Sequence, residues 1–150
     1  MAIIAQNDVG SVASLWRYPV KSMMGEELNA TEVTRVGLPG DRAFALVDRS
    51  DGKVASAKNP RKWPRLFEFR AAFVDAPGIG MKAPPVRITL PDGTFVSSEQ
   101  PDVHRELSVA LNREVALSSL SGQADSTAEA YWPDIEGLER KDTVTDFALP

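Results

Sequence analysis

The chain has 150 residues, of which 43% are hydrophobic and 25% charged, a size and composition typical of one globular domain. It contains no cysteine and a single histidine, His104, which excludes disulfides, thiolate metal ligands, a cysteine nucleophile and a multi-histidine metal centre within this sequence. The net charge of -4 is unevenly distributed, with 11 basic and 8 acidic side chains in residues 1–70 and 6 and 13 in residues 71–150.

Short β-branched and aromatic runs between turn residues indicate a mainly β fold with one or two short helices, an α+β chain that we expect to form a small antiparallel β-barrel. The predicted strands cover residues 9–18, 28–36, 43–48, 53–57, 67–74, 86–90, 94–97 and 114–118. Asp-Gly pairs at 51–52 and 92–93 predict two hairpins, because positive backbone angles are readily adopted there.

One helix is predicted over residues 101–112, where apolar side chains recur three and four positions apart. A second, short helical turn is predicted at 59–63, and Pro60 and Pro64 keep it brief. The sequence contains no apolar run of about 20 residues and no basic stretch leading into a long apolar one. We therefore expect a cytoplasmic protein without a membrane partner.

The first candidate site follows the apolar run that ends at Tyr18 and Pro19. Proline restricts its own backbone and that of its predecessor, so Lys21 and Ser22 should leave the strand in a defined direction. An ammonium and a hydroxyl in this position suit an anion. The alternative is an edge strand that ends at the proline, with Lys21 solvated.

The second candidate site is the loop 37–42. Two glycines around Pro39 predict a sharp turn that carries Asp41 and Arg42, and the guanidinium fork of arginine suits phosphate or pterin oxygens. The alternative is a local ion pair between Asp41 and Arg42. The cationic first half of the chain fits a small anion better than duplex nucleic acid, which usually needs a denser basic surface.

Two further features have structural and functional interpretations. Basic and aromatic residues mix between 58 and 69, as they do on single-strand nucleic-acid surfaces, although a basic loop with Trp63 packed in the core explains the pattern as well. His104 has no serine obviously paired with it, so we interpret it as a surface residue and exclude hydrolase chemistry.

Residues 18–25, with the sequence YPVKSMMG, followed by the GLPGDR of residues 37–42, resemble the amino-terminal domain of MOSC proteins. The resemblance continues through residues 44–52, 59–66 and 131–133 and so covers most of the chain. The two elements in this order are more specific than either one alone. The resemblance implies a β-barrel in which Lys21, Ser22 and Arg42 face the phosphate and pterin of the molybdenum cofactor, molybdopterin.

The family's chemistry also needs a cysteine in the MOSC catalytic domain that follows, and this sequence has none. We therefore expect residues 1–120 to form the amino-terminal barrel and residues 121–150 an acidic connector toward a catalytic domain supplied in cis or in trans. The chain would be a piece of a longer protein or a short family member. Its parent would be a molybdenum-dependent oxidoreductase or sulfur carrier, whereas this chain alone would hold no catalytic residue, metal or firmly bound cofactor.

The alternative is a complete, stand-alone interaction or small-anion-binding module without catalysis. In that case the aromatic residues of the acidic tail, such as Tyr131 and Trp132, would meet a partner. Single-strand nucleic-acid binding through residues 58–69 is the third hypothesis.

Overall fold

The computed structural model describes residues 10–120. Their elements, in chain order, are β1 (Leu15–Arg17), β2 (Glu26–Leu28), β3 (Phe44–Asp48), a 3-10 turn (Leu66–Glu68), β4 (Arg70–Phe73), β5 (Val86–Thr89), β6 (Phe95–Ser97), α1 (Val103–Leu111) and β7 (Val115–Ser119). In this part of the chain the strands pair in three small antiparallel sheets, β1–β2, β3–β7 and β4–β5–β6. The predicted mainly β architecture is confirmed, whereas the sheets of residues 10–120 do not close into a barrel.

One apolar core joins the β3–β7 sheet, the β4–β5–β6 sheet and the helix. It combines residues from β3, β5 and β7 with the inner face of α1, where Val103 and Leu107 are buried. The other central members are Val20, Leu46, Leu66, Phe69, Val86, Ile88 and Val115. Because each element is too short to be stable alone, burial of this shared core holds the elements together.

Most predicted elements lie within a few residues of the observed ones, but the strand predicted at 9–18 is, within the described residues, a strand only at Leu15–Arg17, and two further strand predictions are wrong. The strand predicted at 28–36 is wrong, because β2 ends at Leu28. Thr34 and Gly37 then close a turn through paired backbone hydrogen bonds of 3.0 and 3.1 Å. The strand at 53–57 shrinks to one bridge between Val47 and Val54. The short helical turn predicted at 59–63 does form, as a single turn closed by the hydrogen bond from Trp63 N to Asn59 O and ended by Pro64.

Both predicted hairpin turns form. Leu90 N donates to Thr94 O at 2.8 Å across the turn that joins β5 and β6. At the other turn Asp48 N donates to Lys53 O at 2.9 Å, and pairing continues through the bridge between Val47 and Val54 to Ala55 N, which donates to Leu46 O at 2.8 Å. No helix within residues 10–120 is long and apolar enough to cross a membrane.

The segment 18–25 crosses between two sheets and carries the first candidate site. On one side Val20 forms a parallel bridge with Phe44 at the start of β3, and on the other Met24 forms one with Arg70 at the start of β4. Gly25 is required where the segment turns into β2, since a Cβ there would lie 2.1 Å from Arg17 O. The crossing segment is therefore fixed at both ends.

Candidate functional site

Backbone hydrogen bonds bring the two candidate elements side by side. Arg42 N donates to Tyr18 O at 2.7 Å, Phe44 N to Pro19 O at 2.9 Å and Lys21 N to Phe44 O at 2.9 Å. Tyr18 N in turn donates to Asp41 Oδ1 at 2.9 Å. The sequence places Lys21 and Arg42 in separate motifs, and these bonds make the motifs neighbours.

Ser22 is hydrogen-bonded to a third segment of the chain, at Ala57. Its Oγ accepts a hydrogen bond of 3.1 Å from Ala57 N, which leaves the hydroxyl proton available, and among the residues described no acceptor takes it. A hydroxyl that already accepts from the protein can donate its proton to a ligand oxygen. The geometry of Ser22 therefore suits an anion.

Lys21 is a half-buried cation among other cations. Burial lowers the pKa of its ammonium group below the ordinary value of 10.5, and repulsion from Lys58 and Arg42 lowers it further. No carboxylate of residues 10–120 pairs with it. Like charges held close together are a cost in the free protein, and a bound anion would reduce that cost.

Arg42 is paired locally and still open to solvent. Asp41 Oδ2 accepts a hydrogen bond from Arg42 Nη1, so the local ion pair considered as the alternative does form. The Arg42 side chain is 61% exposed, and the guanidinium has five N–H donors, so the pair with Asp41 leaves others free to bind a ligand. The ion pair orients Arg42 without occupying it.

Backbone strain coincides with this site. Ser22 and Arg42 have φ values of 66° and 52°, in the left-handed region that residues with a Cβ seldom adopt. Among residues 10–120 only Asn112, at the end of α1, is a further non-glycine example. Unfavourable backbone conformations persist where the surrounding structure imposes them, and they are common at ligand sites.

Lys58 is a neighbour of the site that the sequence interpretation assigned elsewhere. It follows Ala57, whose backbone bonds Ser22, and its charge acts on Lys21 more strongly than that of Arg42 does. The sequence grouped Lys58 with the basic residues that follow it, because only tertiary contacts bring residue 57 to residue 22. No local signal in the sequence links them.

The remaining basic and aromatic cluster does not form a stacking surface. Trp63 is 3% exposed and Phe69 fully buried, whereas Phe67 is 64% exposed. Lys62 pairs with Asp48 and Asp51, and Arg65 with Glu68. Several of these residues therefore stabilise the fold.

His104 differs from its interpretation as a surface residue. It is half-buried, and its Nδ1 accepts a hydrogen bond of 3.0 Å from Leu117 N, which joins α1 to β7. Ser108 Oγ contacts the backbone oxygen of His104 at 2.7 Å and not the imidazole. His104 therefore has a structural role in joining α1 to β7.

The assembled residues fit the anionic part of a cofactor and not its metal. Lys21, Ser22 and Arg42 offer two cations and a hydroxyl donor, which form strong charge-assisted hydrogen bonds with phosphate oxygens. Within residues 10–120 no group of histidine, aspartate and glutamate side chains could hold a metal ion, and the full sequence lacks cysteine. These observations describe a mainly β domain in which Lys21, Ser22 and Arg42 lie on neighbouring segments.

Comparison with known proteins places the domain in a family. The family model described as the MOSC N-terminal beta barrel domain matches residues 9–134, and the chain belongs to this family. Two relatives are mitochondrial amidoxime reducing component 2 from Macaca fascicularis and from Homo sapiens. Each is 45% identical to this chain over 62 residues, which cover 39% of this chain and 17% of the relative.

The same protein from Bos taurus is 33% identical over 90 residues, covering 53% of this chain and 26% of the relative. The aligned segments thus span about a quarter or less of the relatives' length. No solved structure gives a significant match. The predicted boundary at residue 120 and the connector at 121–150 stay predictions, since that segment lies outside the described residues.

Proposed function

We propose that this chain supplies the anion-binding wall, formed by Lys21, Ser22 and Arg42, of a molybdenum-cofactor site in a MOSC protein. The observation that carries the proposal is the juxtaposition of Lys21, Ser22 and Arg42, with no carboxylate of residues 10–120 paired to Lys21. Lys21 and Arg42 would hold the phosphate and the pterin oxygens, and Ser22 would donate its hydroxyl proton. Family membership supports this assignment.

The wall binds and orients a ligand and has no residue for the redox step. When bound, the molybdenum cofactor supplies the oxidation–reduction or sulfur-transfer chemistry, so the parent is a molybdenum-dependent oxidoreductase or sulfur carrier. A MOSC catalytic domain, in cis or in trans, provides the thiolate that this sequence lacks. In the complete cytoplasmic protein the three sheets belong to a small β-barrel.

The test is titration of the 150-residue chain with inorganic phosphate, followed by the amide shifts of Lys21, Ser22 and Arg42. Charge-assisted hydrogen bonds are each worth about 1.5–3 kcal/mol, so Lys21→Ala and Arg42→Ala should each weaken binding about tenfold or more. Arg65→Ala, which removes an exposed cation paired with Glu68, is the matched control. Unchanged affinity in both site variants, with folding retained, would refute the site.

A second titration separates the cofactor site from the stand-alone anion-binding module. A synthetic alkylpterin phosphate presents both groups of the cofactor without the metal. Tighter binding of this probe than of inorganic phosphate supports the cofactor assignment. Equal affinity for the two probes favours the small-anion module instead.

A further inference from the structure

We propose that Lys58 is the third cation of this site and that it makes the site selective for a doubly charged phosphate monoester over a singly charged anion. The inference rests on the proposed function and adds to it a residue and a ligand class. Neither the family resemblance nor the site prediction includes Lys58.

The first support is a rigid turn that presents Lys58. Ser56 and Asn59 are 3% and 7% exposed, and their side chains bond the turn's backbone: Lys58 N donates to Ser56 Oγ at 3.3 Å and Lys62 N to Asn59 Oδ1 at 3.2 Å. Asn59 N also donates to Ser56 O at 3.0 Å. Buried polar side chains that satisfy the backbone fix the turn in one conformation.

The second support is the contact between this turn and the site. The hydrogen bond from Ala57 N to Ser22 Oγ, 3.1 Å long, places Lys58 one residue from a group that faces the ligand. Repulsion from Lys58 also contributes to the lowered pKa of Lys21, ahead of the contribution from Arg42. Lys58 approaches from the turn, and Lys21 and Arg42 come from the two neighbouring segments.

The third support is electrostatic: a site with three cations favours a ligand with more negative charge. A phosphate monoester carries close to two negative charges above its second pKa of about 6, whereas a diester carries one. Each cation gains more Coulomb energy from the dianion, and the partly buried position of Lys21 limits the screening of that gain. A three-cation site therefore discriminates by ligand charge.

The experiment compares methyl phosphate with dimethyl phosphate at pH 8, titrated into the 150-residue chain and followed by the amide shifts of Lys21, Ser22 and Ala57. Lys58→Gln should weaken methyl phosphate about tenfold and dimethyl phosphate about threefold or less, because one cation interacts with twice the charge. Lys58 is exposed, so the variant should fold. Lys58→Glu should weaken methyl phosphate more than Lys58→Gln does.

The control is Lys53→Gln, which removes the same charge from an exposed lysine and should change neither affinity by more than about twofold. The inference is overturned if Lys58→Gln leaves methyl phosphate binding unaffected, if it weakens the binding of both ligands equally, or if Lys53→Gln has the same effect.

The Lys21→Ala variant separates this inference from the proposed function. If Lys21→Ala abolishes binding and Lys58→Gln does nothing, the role of Lys58 fails and the proposed function stands; if Lys21→Ala is also silent, the site itself fails.

Discussion

At the scale of single residues, the charge of Lys21 links the fold to the ligand. Its pKa is lowered chiefly by burial and then by Lys58 and Arg42. Because the folded-state pKa lies below the unfolded one, the penalty on the charged form is fully present below the folded pKa. The free protein therefore gains stability as pH rises through the interval between the two values.

We predict that phosphate raises the pKa of Lys21 back toward its ordinary value. An anion beside the ammonium favours its charged form, so binding at a pH between the lowered and the ordinary pKa should be accompanied by proton uptake. Lysine side-chain carbon shifts, followed against pH with and without phosphate, measure this directly. A Lys21 titration that phosphate does not move would place the anion elsewhere.

Asp48 is a second charged residue, and its ionisation affects the stability of the fold. Burial raises the pKa of this fully buried carboxylate, but hydrogen bonds from Ser50 and an ion pair with Lys62 outweigh burial and hold it at about 2. Ser50 Oγ donates at 2.6 Å, Lys62 Nζ lies at 3.0 Å and Arg113 Nη1 at 3.2 Å. Lys62 and Arg113 also lie over the Trp63 ring, at 5.6 and 5.2 Å.

We predict that Asp48→Asn lowers the free energy of unfolding at pH 7 by about 3 kcal/mol, because it leaves two cations without their buried partner. In the unsubstituted protein, ionised Asp48 stabilises the fold above pH about 4, and this contribution, on the order of 2 kcal/mol, is lost as pH falls toward about 2. Urea unfolding between pH 2 and 7 measures both effects.

Asp51→Asn is the matched control for Asp48. Asp51 also binds Lys62, at 2.8 Å, but it is an exposed residue screened by solvent, so its loss should cost clearly less stability than the loss of Asp48. Equal costs for the two substitutions would contradict the assignment of Asp48 as the centre of the network.

At the scale of elements, Arg17 on β1 supports the loop that carries Arg42. It is buried, pairs with Glu26 on β2 at 2.7 Å, and donates from Nη1 to Pro39 O at 3.3 Å. Its guanidinium lies 5.0 Å from the ring centre of Phe73. A Cβ on Gly40 would lie 2.6 Å from the same ring, so the loop packs closely against this support.

We predict that Arg17→Met weakens phosphate binding about fivefold through Arg42, because the loss of one loop hydrogen bond, worth about 1 kcal/mol, lets Arg42 move from its position. Arg17→Lys should recover part of this loss. In a double-mutant cycle the effects of Arg17→Met and Arg42→Ala should not add, whereas those of Arg17→Met and Lys21→Ala should. Additivity in both cycles would make Arg17 purely structural.

At the scale of the whole molecule, the structure does not support the hypothesis of an extended nucleic-acid surface in residues 58–69. Trp63 and Phe69 belong to the core, and the neighbouring cations Lys62 and Arg65 are paired with carboxylates. A nucleic-acid strand needs exposed aromatic rings along a continuous basic groove.

We predict that a 12-nucleotide single strand of DNA does not bind measurably at 150 mM salt, while phosphate binding at the site persists. Fluorescence anisotropy of a labelled oligonucleotide measures the first and amide shifts the second. Strand binding that falls steeply with salt and is lost in Arg61→Gln would contradict this expectation.

The sequence alone determined the local features. Short apolar runs predicted β3 and β5, and apolar residues three and four positions apart predicted α1, each within a few residues. An Asp-Gly turn marked the β5–β6 hairpin, because periodicity and turn chemistry act over short stretches. The motifs around Lys21 and Arg42 also indicated an anion site. The end of β2 was missed because the turn between Thr34 and Gly37 overrides the strand preference of Val33 and Val36.

Only the tertiary structure decided which of these residues meet. The hydrogen bonds that join Tyr18 to Arg42 and Ser22 to Ala57 link positions 24 and 35 residues apart, and the core that enforces them depends on packing between the β3–β7 and β4–β5–β6 sheets. Like-charge repulsion at Lys21 exists only after this packing, since it depends on distance in space. The residue types were readable in the sequence, whereas the addition of Lys58 to the site required the fold.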